Sequence, residues 1–302
     1  QRRGGRGVRG ATSRDEDFVE HLFVANTHSY ILFFTDKGKC YWVKVYDIPE
    51  GGRAAKGRAI VNLIGCEPDE KVSAFISVKE FNDDHFVVMA TEKGIVKKTK
   101  LSAYSNPRKK GIYAVEIREG DKLIEARVST GDNDILLGTR NGKSIRFSEE
   151  QIRPSGRKTM GVKGITLSSK DDRLVGMLLI KREGTTVLVA TEKGFGKRTE
   201  ISQYRAQKRG GKGVLTMKTT EKVGKMVTIK EVVDKDDLMI ITNQGVLIRQ
   251  PVSQIRAIGR ATQGVKLIKL GEGTLVSSIT RIMSEEDDGD ENNSAEPEGN
   301  SE

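Results

Sequence analysis

The sequence VLVATEKGFGKRT at residues 187–199 is one of five related segments in this 302-residue chain. Each segment has an apolar, β-rich run, then Thr-x-x-Gly, then a second β-rich run that contains Lys or Arg. The other four are ILFFTDKGKCYWVKV at 31–45, FVVMATEKGIVKKT at 86–99, ILLGTRNGKSIRF at 135–147 and LMIITNQGVLIRQ at 238–250. Their threonines are 48 to 56 residues apart. The chain is therefore built from a repeated unit of about 50 residues.

Each copy predicts a β-hairpin followed by further strands. A Gly in the turn supplies the positive φ that a tight reversal requires, and both arms are rich in β-branched and aromatic residues. Two more strand-like runs follow each hairpin, and no segment keeps a helical apolar period for three turns. Four strands in about 50 residues are typical of a propeller blade. We therefore predict an all-β, propeller-like fold, with a two-sheet β-sandwich as the alternative.

The N-terminus predicts that one blade is incomplete. The chain opens with QRRGGRG at residues 1–7, which nearly repeats QKRGGKG at 207–213. The later copy follows its Thr191 signature by 16 residues, so the hairpin that belongs to the first copy would precede residue 1. Five signatures and half a unit predict a six-bladed ring with a truncated first blade. At the other end, LVSSITRIM at 275–283 offers one further strand.

A glycine-rich basic loop follows each hairpin at the same position of the repeat. The loops read GGRAAKGRAI (51–60), NPRKKGI (106–112), GRKTMGVKGI (156–165), QKRGGKGV (207–214) and GRATQGVKLI (259–268). One such loop alone is most simply a solvated turn, but equivalent loops of a closed ring lie on one rim. Five of them predict a belt of positive charge. The candidate contacts to a polyanion are Arg53, Lys56, Arg58, Arg108, Lys109, Lys110, Arg157, Lys158, Lys163, Lys208, Arg209, Lys212, Arg260 and Lys266.

Double-stranded DNA is the polyanion that best fits a curved row of cations, because its phosphates are closely spaced and each neutralised phosphate releases counterions. No recognition helix is evident in the sequence, so base readout in the major groove is not expected. We predict binding to the DNA backbone with bending, in which sequence preference arises from deformability.

The charge distribution divides the chain in two. The formal net charge is +10, but nine of the 42 acidic residues and none of the 52 basic ones lie at 284–302, so the preceding 283 residues carry +19. We predict a folded domain at 1–283 and a disordered acidic tail at 284–302. The tail is either a solubilising extension or, as a second hypothesis, a competitor of DNA for the basic body.

Other classes of function find little support in the sequence. No apolar run approaches the roughly 18 residues of a membrane helix. Two cysteines and three histidines show no spacing typical of a disulfide framework or a metal site. The segment 138–144 resembles a phosphate-binding loop but lies in a predicted hairpin. No catalytic set of side chains recurs with the repeats. We therefore expect no catalysis by this chain alone. Because the chain begins with Gln and shows no signal peptide, we also expect a fragment of a longer cytoplasmic protein.

Residues 1–7 resemble the heptapeptide box found in the C-terminal domain of the DNA gyrase A protein. The resemblance continues to about residue 283, and includes HLFVANTHSYILFFTDKG at 21–38 and GRATQGVKLI at 259–268. Arg6 stands where the family usually has Lys, so the charge is kept. The segment 207–213 is a second box-like copy, and the sequence leaves open which of the two dominates.

The resemblance implies a six-bladed β-pinwheel, a propeller relative with strands exchanged between blades, that wraps duplex DNA around its rim. In that family the wrap supports ATP-dependent negative supercoiling by a type II topoisomerase. The implied site consists of phosphate contacts from Arg2, Arg3 and Arg6, a hydrogen bond from Gln1, and close backbone approach at Gly4, Gly5 and Gly7.

The same resemblance implies what a parent enzyme would contain. The cleavage tyrosine would belong to the N-terminal core of the gyrase A protein, and ATP would bind to the gyrase B protein in an A2B2 assembly that uses Mg²⁺. This fragment itself is expected to need no cofactor, and to be a monomer in the bacterial cytoplasm and nucleoid. Two alternatives stay open: the related domain of topoisomerase IV, and a basic propeller that binds an acidic protein partner.

Overall fold

Nineteen β-strands and one short α-helix make up the regular structure of residues 26–51, 59–181 and 184–282, which the computed structural model describes. In chain order they are β1 (Tyr30–Thr35), β2 (Lys39–Lys44), α1 (Ile60–Ile64), β3 (Val72–Val78), β4 (Phe86–Thr91), β5 (Ile95–Lys100), β6 (Ile112–Tyr113), β7 (Leu123–Ser129), β8 (Asp134–Thr139), β9 (Lys143–Ser148), β10 (Val162–Lys163), β11 (Leu174–Ile180), β12 (Thr186–Thr191), β13 (Phe195–Glu200), β14 (Val214–Leu215), β15 (Met226–Val232), β16 (Asp237–Thr242), β17 (Leu247–Pro251), β18 (Val265–Lys266) and β19 (Val276–Ile282). A short 3-10 turn follows the second strand of each hairpin.

The Thr-x-x-Gly signature forms the turn of every hairpin. The Gly N–H donates to the Thr carbonyl at 2.9 to 3.0 Å in all five copies, and the Gly has a φ between +76° and +83°. In four copies the Thr hydroxyl also accepts the backbone N–H four residues later, as Thr91 does from Ile95 at 3.2 Å. These two bonds explain why Thr and Gly recur together.

Each of the first four sheets takes its outermost strand from the next repeat. The sheets are blade 1 (β3-β1-β2-β6), blade 2 (β10-β5-β4-β7), blade 3 (β11-β8-β9-β14) and blade 4 (β15-β12-β13-β18), with antiparallel pairing throughout. The two-residue strands β6, β10, β14 and β18 directly follow the basic loops. Each of these loops therefore crosses from its own blade to the edge of the preceding blade. Blade 5 (β17-β16-β19) has three strands among the described residues.

Apolar layers between neighbouring sheets hold the blades together. Successive residues of a strand face opposite sides, so Val87 and Met89 of β4 pack toward blade 1 while Val88 and Ala90 pack toward blade 3. Similar layers join blade 3 to blade 4 and blade 4 to blade 5. Burial on both faces explains why the central strands are continuous apolar runs.

The short helix α1 covers the face of blade 1 that is turned away from blade 2. Ile64 of α1 packs in one cluster with Ile31 and Phe33 of β1 and with Tyr41 of β2. The left-handed Gly65, with a φ of +63°, ends the helix. Among the described residues, no helix has the length and apolar character needed to cross a membrane.

The predicted all-β, propeller-like architecture is confirmed, but the number of blades differs from the expectation. The described residues form five sheets where we predicted six blades. The residues expected to begin the first blade, 1–25, lie outside the described part of the chain, as does the acidic tail at 284–302. The segment 138–144 is a hairpin turn between β8 and β9, as predicted, and the single strand predicted within 275–283 is β19.

Replacing Gly142 with Ala is expected to destabilise the domain by more than the loss of backbone freedom alone. Gly142 has a φ of +83°, and a Cβ at this position would lie 2.1 Å from the carbonyl oxygen of Met217. We expect a loss of about 3 kcal/mol in the free energy of unfolding, measured by urea titration. Gly273→Ala is the matched control, because its φ is +71° and no atom lies within 4 Å of the added Cβ. That control should cost about 1 to 2 kcal/mol, and equal losses would contradict the close packing of the turn.

Candidate nucleic-acid interface

Four basic loops lie in one continuous row. We define loop 2 as residues 106–111, loop 3 as 156–161, loop 4 as 207–213 and loop 5 as 259–264. They lead directly into β6, β10, β14 and β18, which occupy the same edge of successive blades. The loops are therefore neighbours, and equivalent hydrogen bonds join each one to the next.

An arginine at the same position of three loops donates to the strand that follows the preceding loop. Its acceptor is the backbone carbonyl of the last residue in the short strand that follows that preceding loop. The three bonds run from Arg157 to Tyr113 at 3.3 Å, from Arg209 to Lys163 at 3.0 Å and from Arg260 to Leu215 at 2.8 Å. All three arginines are half-buried. We call them the clasp arginines.

A backbone hydrogen bond accompanies the arginine at each of these three junctions. An N–H just after the short strand donates to a carbonyl in the middle of the next loop. These bonds run from Glu116 to Thr159 at 3.1 Å, from Thr166 to Gly211 at 2.9 Å and from Lys218 to Thr262 at 3.0 Å. The same pair of bonds thus recurs wherever two described loops meet, so the loops keep a constant relation along the row.

The other predicted contacts in these loops and strands are exposed cations. They are Arg108, Lys109, Lys110, Lys158, Lys163, Lys208, Lys212 and Lys266, and we call them the rim cations. Within residues 26–51, 59–181 and 184–282, none of them forms an ion pair with a carboxylate. An unpaired row of one sign produces a strip of positive potential that attracts a polyanion.

Sequence reasoning missed two buried lysines beneath the row. Lys97 of β5 and Lys197 of β13 occupy equivalent positions and are 1% and 0% exposed. The Nζ of Lys97 donates to the carbonyls of Ala114 at 2.7 Å and Arg157 at 2.5 Å. The Nζ of Lys197 donates to the carbonyls of Gly259 at 2.6 Å and of Arg260. A charged residue within an otherwise buried strand was the signal that could have revealed them.

Burial governs the protonation of both lysines. Desolvation, with a smaller contribution from Arg157, lowers the pKa of Lys97 to about 7, and attraction from Glu116 opposes this shift. Desolvation, with a contribution from Arg260, lowers the pKa of Lys197 to about 8. Both groups therefore titrate near neutral pH, unlike an ordinary lysine.

Part of the predicted site lies outside the described residues. The box residues Gln1, Arg2, Arg3, Gly4, Gly5, Arg6 and Gly7, and the loop residues Arg53, Lys56 and Arg58, belong to this part and stay predictions. The loop predicted at 51–60 differs from the others at its end, because Ile60 begins α1 where the other loops enter a two-residue strand.

The described His and Cys side chains form no metal or disulfide site. Among the described residues, no group of three or more His, Cys, Asp or Glu side chains is placed to hold a metal ion. Cys40 is buried, Cys66 is half-buried, and neither forms a disulfide. His85 lies beside Asn82, with 2.9 Å between its Nδ1 and the amide oxygen.

Comparison with known proteins gives one consistent family. The family described as DNA gyrase C-terminal domain, beta-propeller, matches the chain in six segments, at 1–26, 29–79, 85–130, 133–181, 185–232 and 236–282. The DNA gyrase A protein of Staphylococcus epidermidis is 47% identical over 289 residues, and that of Neisseria gonorrhoeae is 43% identical over 328 residues. Both alignments cover 95% of this chain, which spans only 32% and 36% of those proteins.

Solved structures show the same fold. The C-terminal domain of a DNA topoisomerase IV superposes with a TM-score of 0.78 at 25% identity, and covers 85% of this chain and 80% of its own. A DNA gyrase A C-terminal domain superposes with a TM-score of 0.75 at 20% identity, and covers 92% of this chain and 93% of its own. At that identity the second likeness concerns the fold alone.

Alanine at a clasp arginine is expected to destabilise the domain, whereas alanine at a rim cation is not. Arg209→Ala and Arg260→Ala each remove a charged donor to a backbone carbonyl of the short strand that follows the preceding loop, so we expect a loss of about 1.5 to 3 kcal/mol. Lys208→Ala and Lys212→Ala should stay within about 0.5 kcal/mol of the parent chain. Urea unfolding measures both. If the arginine variants were as stable as the lysine variants, the clasp assignment would be wrong.

Proposed function

The chain belongs to the DNA gyrase C-terminal domain family, and from that premise we propose that it binds double-stranded DNA and wraps it along the row of basic loops. The supporting observation is the row itself, in which rim cations recur at the same position of successive blades and form no ion pair with a described carboxylate. A stiff duplex has to bend to reach all of them, and the released counterions favour its binding. The described residues contain no helix longer than the five residues of α1, so the proposal relies on contacts to the DNA backbone.

The proposal extends to the longer protein of which such domains form about a third. In a DNA gyrase, the wrapped segment would support ATP-dependent negative supercoiling by the A2B2 assembly. On this proposal the present chain performs no catalysis and holds no cofactor, while Mg²⁺ and ATP serve other parts of that assembly. The isolated chain would be a monomer, and the whole enzyme would act in the bacterial cytoplasm and nucleoid.

The N-terminal segment completes the proposed wrapping site. The first of the six matched segments, 1–26, contains the box at 1–7, which supports a sixth blade unit in addition to the five described sheets. Arg3 stands at the sequence position of Arg209 in the second box-like copy. We propose that the box fixes where the DNA wrap begins or closes, with a folded domain at 1–283 followed by the acidic tail at 284–302.

Two alternatives are less favoured. A topoisomerase IV domain shares the fold, but the relatives that are 43% to 47% identical are gyrase A proteins. An acidic protein partner would need charge on only one or two blades, whereas all four described loops carry it.

Duplexes of increasing length, bound across a salt series, test the wrapping proposal. We expect affinity to rise with length until the duplex spans the row, and to fall steeply with salt. The slope of log binding constant against log salt concentration measures the number of phosphate contacts, and each contact contributes about one to it. Combined alanine substitution of Lys158, Lys163, Lys208 and Lys212 should therefore reduce the size of this slope by about three to four.

A matched control separates the row from general positive charge. Lys93, Lys100, Lys170 and Lys222 are exposed lysines outside the four loops. Replacing all four with alanine removes the same amount of positive charge, but should leave most of the salt dependence of DNA binding unchanged. If both quadruple variants lost the same slope and affinity, a specific path along the row would be excluded.

The box is tested by DNA topology. The chain is bound to nicked, relaxed circles, whose nick is then sealed by ligase, and the products are analysed by gel electrophoresis. The parent chain should leave a change in linking number, and Arg2→Ala combined with Arg3→Ala should abolish this change while sparing much of the affinity. A double variant that constrained DNA as well as the parent chain would refute the role assigned to the box.

A further inference from the structure

The residue directly beneath each basic loop differs from blade to blade. In blades 1 to 4 this position lies on the second strand of the hairpin and is occupied by Tyr41, Lys97, Ile145 and Lys197. Its counterpart in blade 5 is Ile248, in a sheet that has three strands among the described residues. Loops 3 and 5, which lie over the two lysines, share the pattern Gly-Arg-x-Thr-x-Gly. Loop 4, which lies over Ile145, reads QKRGGKG. The loop sequence and the residue beneath it thus change together within one chain.

Loop 5 forms a cradle that matches a charged ammonium. Besides the two carbonyls already described, the hydroxyl of Thr262 lies 3.1 Å from the Nζ of Lys197. That hydroxyl donates its own hydrogen to the carbonyl of Gly259 at 3.0 Å, so it accepts from Lys197. Three acceptors therefore face an ammonium that carries three N–H donors, whereas a neutral amine has only two.

Loop 3 is built in a similar way, and the lysine beneath it also contacts the segment that follows loop 2. Thr159 repeats the bond of Thr262 by donating to the carbonyl of Gly156 at 3.0 Å. Lys97 holds the carbonyl of Arg157 in loop 3 and that of Ala114, which follows β6. This lysine therefore ties loop 3 to the segment that leaves loop 2.

Loop 4 shows the apolar version of the same support. A Cβ added to Gly211 would lie 3.4 Å from Cδ1 of Ile145, and Gly211 stands at the sequence position of Thr159 and Thr262. That distance is an ordinary van der Waals contact, so loop 4 lies directly over an aliphatic side chain. The fold thus tolerates an uncharged residue at this position, so a charge at Lys97 and Lys197 is not required for folding in general.

We propose that Lys97 and Lys197 are positioning residues of the DNA interface, each of which anchors one basic loop as a buried cation whose charge is coupled to phosphate binding on that loop. The inference rests on the proposed DNA-binding function. A phosphate at loop 3 or loop 5 would favour the charged form of the lysine below it, because an opposite charge nearby stabilises an ammonium. By reciprocity, the charged lysine favours the bound phosphate.

The charges that face each lysine make the direction of this coupling clear. Arg157 opposes the charge of Lys97 and Glu116 favours it, whereas Arg260 opposes that of Lys197. DNA phosphates would offset both arginines. The nearby phenol of Tyr104 stays neutral near pH 7, because burial raises its pKa further, and burial likewise raises the pKa of Tyr204. DNA binding is therefore expected to take up protons.

The pH dependence of DNA affinity and that of stability should have opposite signs. Phosphate raises the pKa of each lysine, so affinity is highest below about pH 7 and falls as the pH rises through 7 and 8. Folding lowers each pKa from 10.5 to about 7 or 8, so the unfolded chain binds more protons and these groups make the free domain more stable as the pH rises. A merely structural lysine would produce only the second effect.

The experiment compares the parent chain with Lys97→Met and Lys197→Met, singly and combined. Affinity for a duplex that spans the row is measured from about pH 6 to about pH 9 at constant ionic strength, together with urea unfolding. If DNA raises each pKa by about one unit, affinity should fall by about tenfold per lysine over this range. The double variant should bind more weakly at low pH and show a nearly flat profile. An unchanged profile in the double variant would overturn the proposal.

Ile145→Met is the matched control, because it changes the equivalent position of blade 3 without adding or removing a titratable group. It should keep the pH profile of the parent chain, since Ile and Met are similar in volume. If Ile145→Met flattened the profile as strongly as the lysine variants, loop packing rather than buried charge would explain the effect.

A second measurement needs no variant and holds if a lysine variant fails to fold. Calorimetric titration of the parent chain with the same duplex, near pH 7.5 in buffers of different ionisation enthalpy, gives the number of protons exchanged on binding. Net uptake supports the coupling, and zero uptake or net release overturns it. Absence of DNA binding at every pH would instead refute the proposed function itself, so the two failures are distinguishable.

Discussion

The rest of the structure depends on one constraint, which is that each of loops 2 to 5 has to cross from its own blade to the edge of the preceding blade. The two residues that end the crossing pair with that edge as β6, β10, β14 or β18. A loop held by backbone bonds at its far end cannot move independently of the blade beneath it. The spacing between loops is therefore set by the apolar packing between sheets. As a result, the charges in the row have a fixed geometry although the loops themselves contain no long helix or strand.

Cations of the same loop divide into two roles according to their burial. The half-buried clasp arginines donate to carbonyls of β6, β10 and β14, which suits a guanidinium with several N–H donors in a fixed plane. The exposed lysines among the rim cations form no ion pair within the described ranges, which suits a flexible point charge that follows a phosphate backbone. Crowding many like charges on one edge is unfavourable in the free protein, and the bonds at each loop junction offset that repulsion.

The parts of the fold that the sequence predicted are those decided by local chemistry. The bonds between Thr91, Gly94 and Ile95 lie within five residues, so every hairpin was visible in the repeat. The position of the loops in the repeat was visible for the same reason. The exchange of β10 into blade 2 follows from pairing between Val162 and Val96, residues far apart in the chain, so only the family resemblance implied it. The clasp role of Arg209 could not be separated from phosphate binding, because both use the same residue type, and Lys97 looked like any lysine until its surroundings were known.

The repeated rim hides a support that is not repeated. Loops 3 and 5 are anchored through ammonium groups, whereas loop 4 lies over the aliphatic side chain of Ile145. Neighbouring loops therefore present similar charge to the outside while they respond differently to pH. In the proposed complex, a DNA segment that follows the row passes over loops with charged supports and a loop with an apolar one in alternation. Equal charge along a propeller edge consequently does not mean equal contributions to binding, since the free energy of each phosphate contact includes the group buried beneath it.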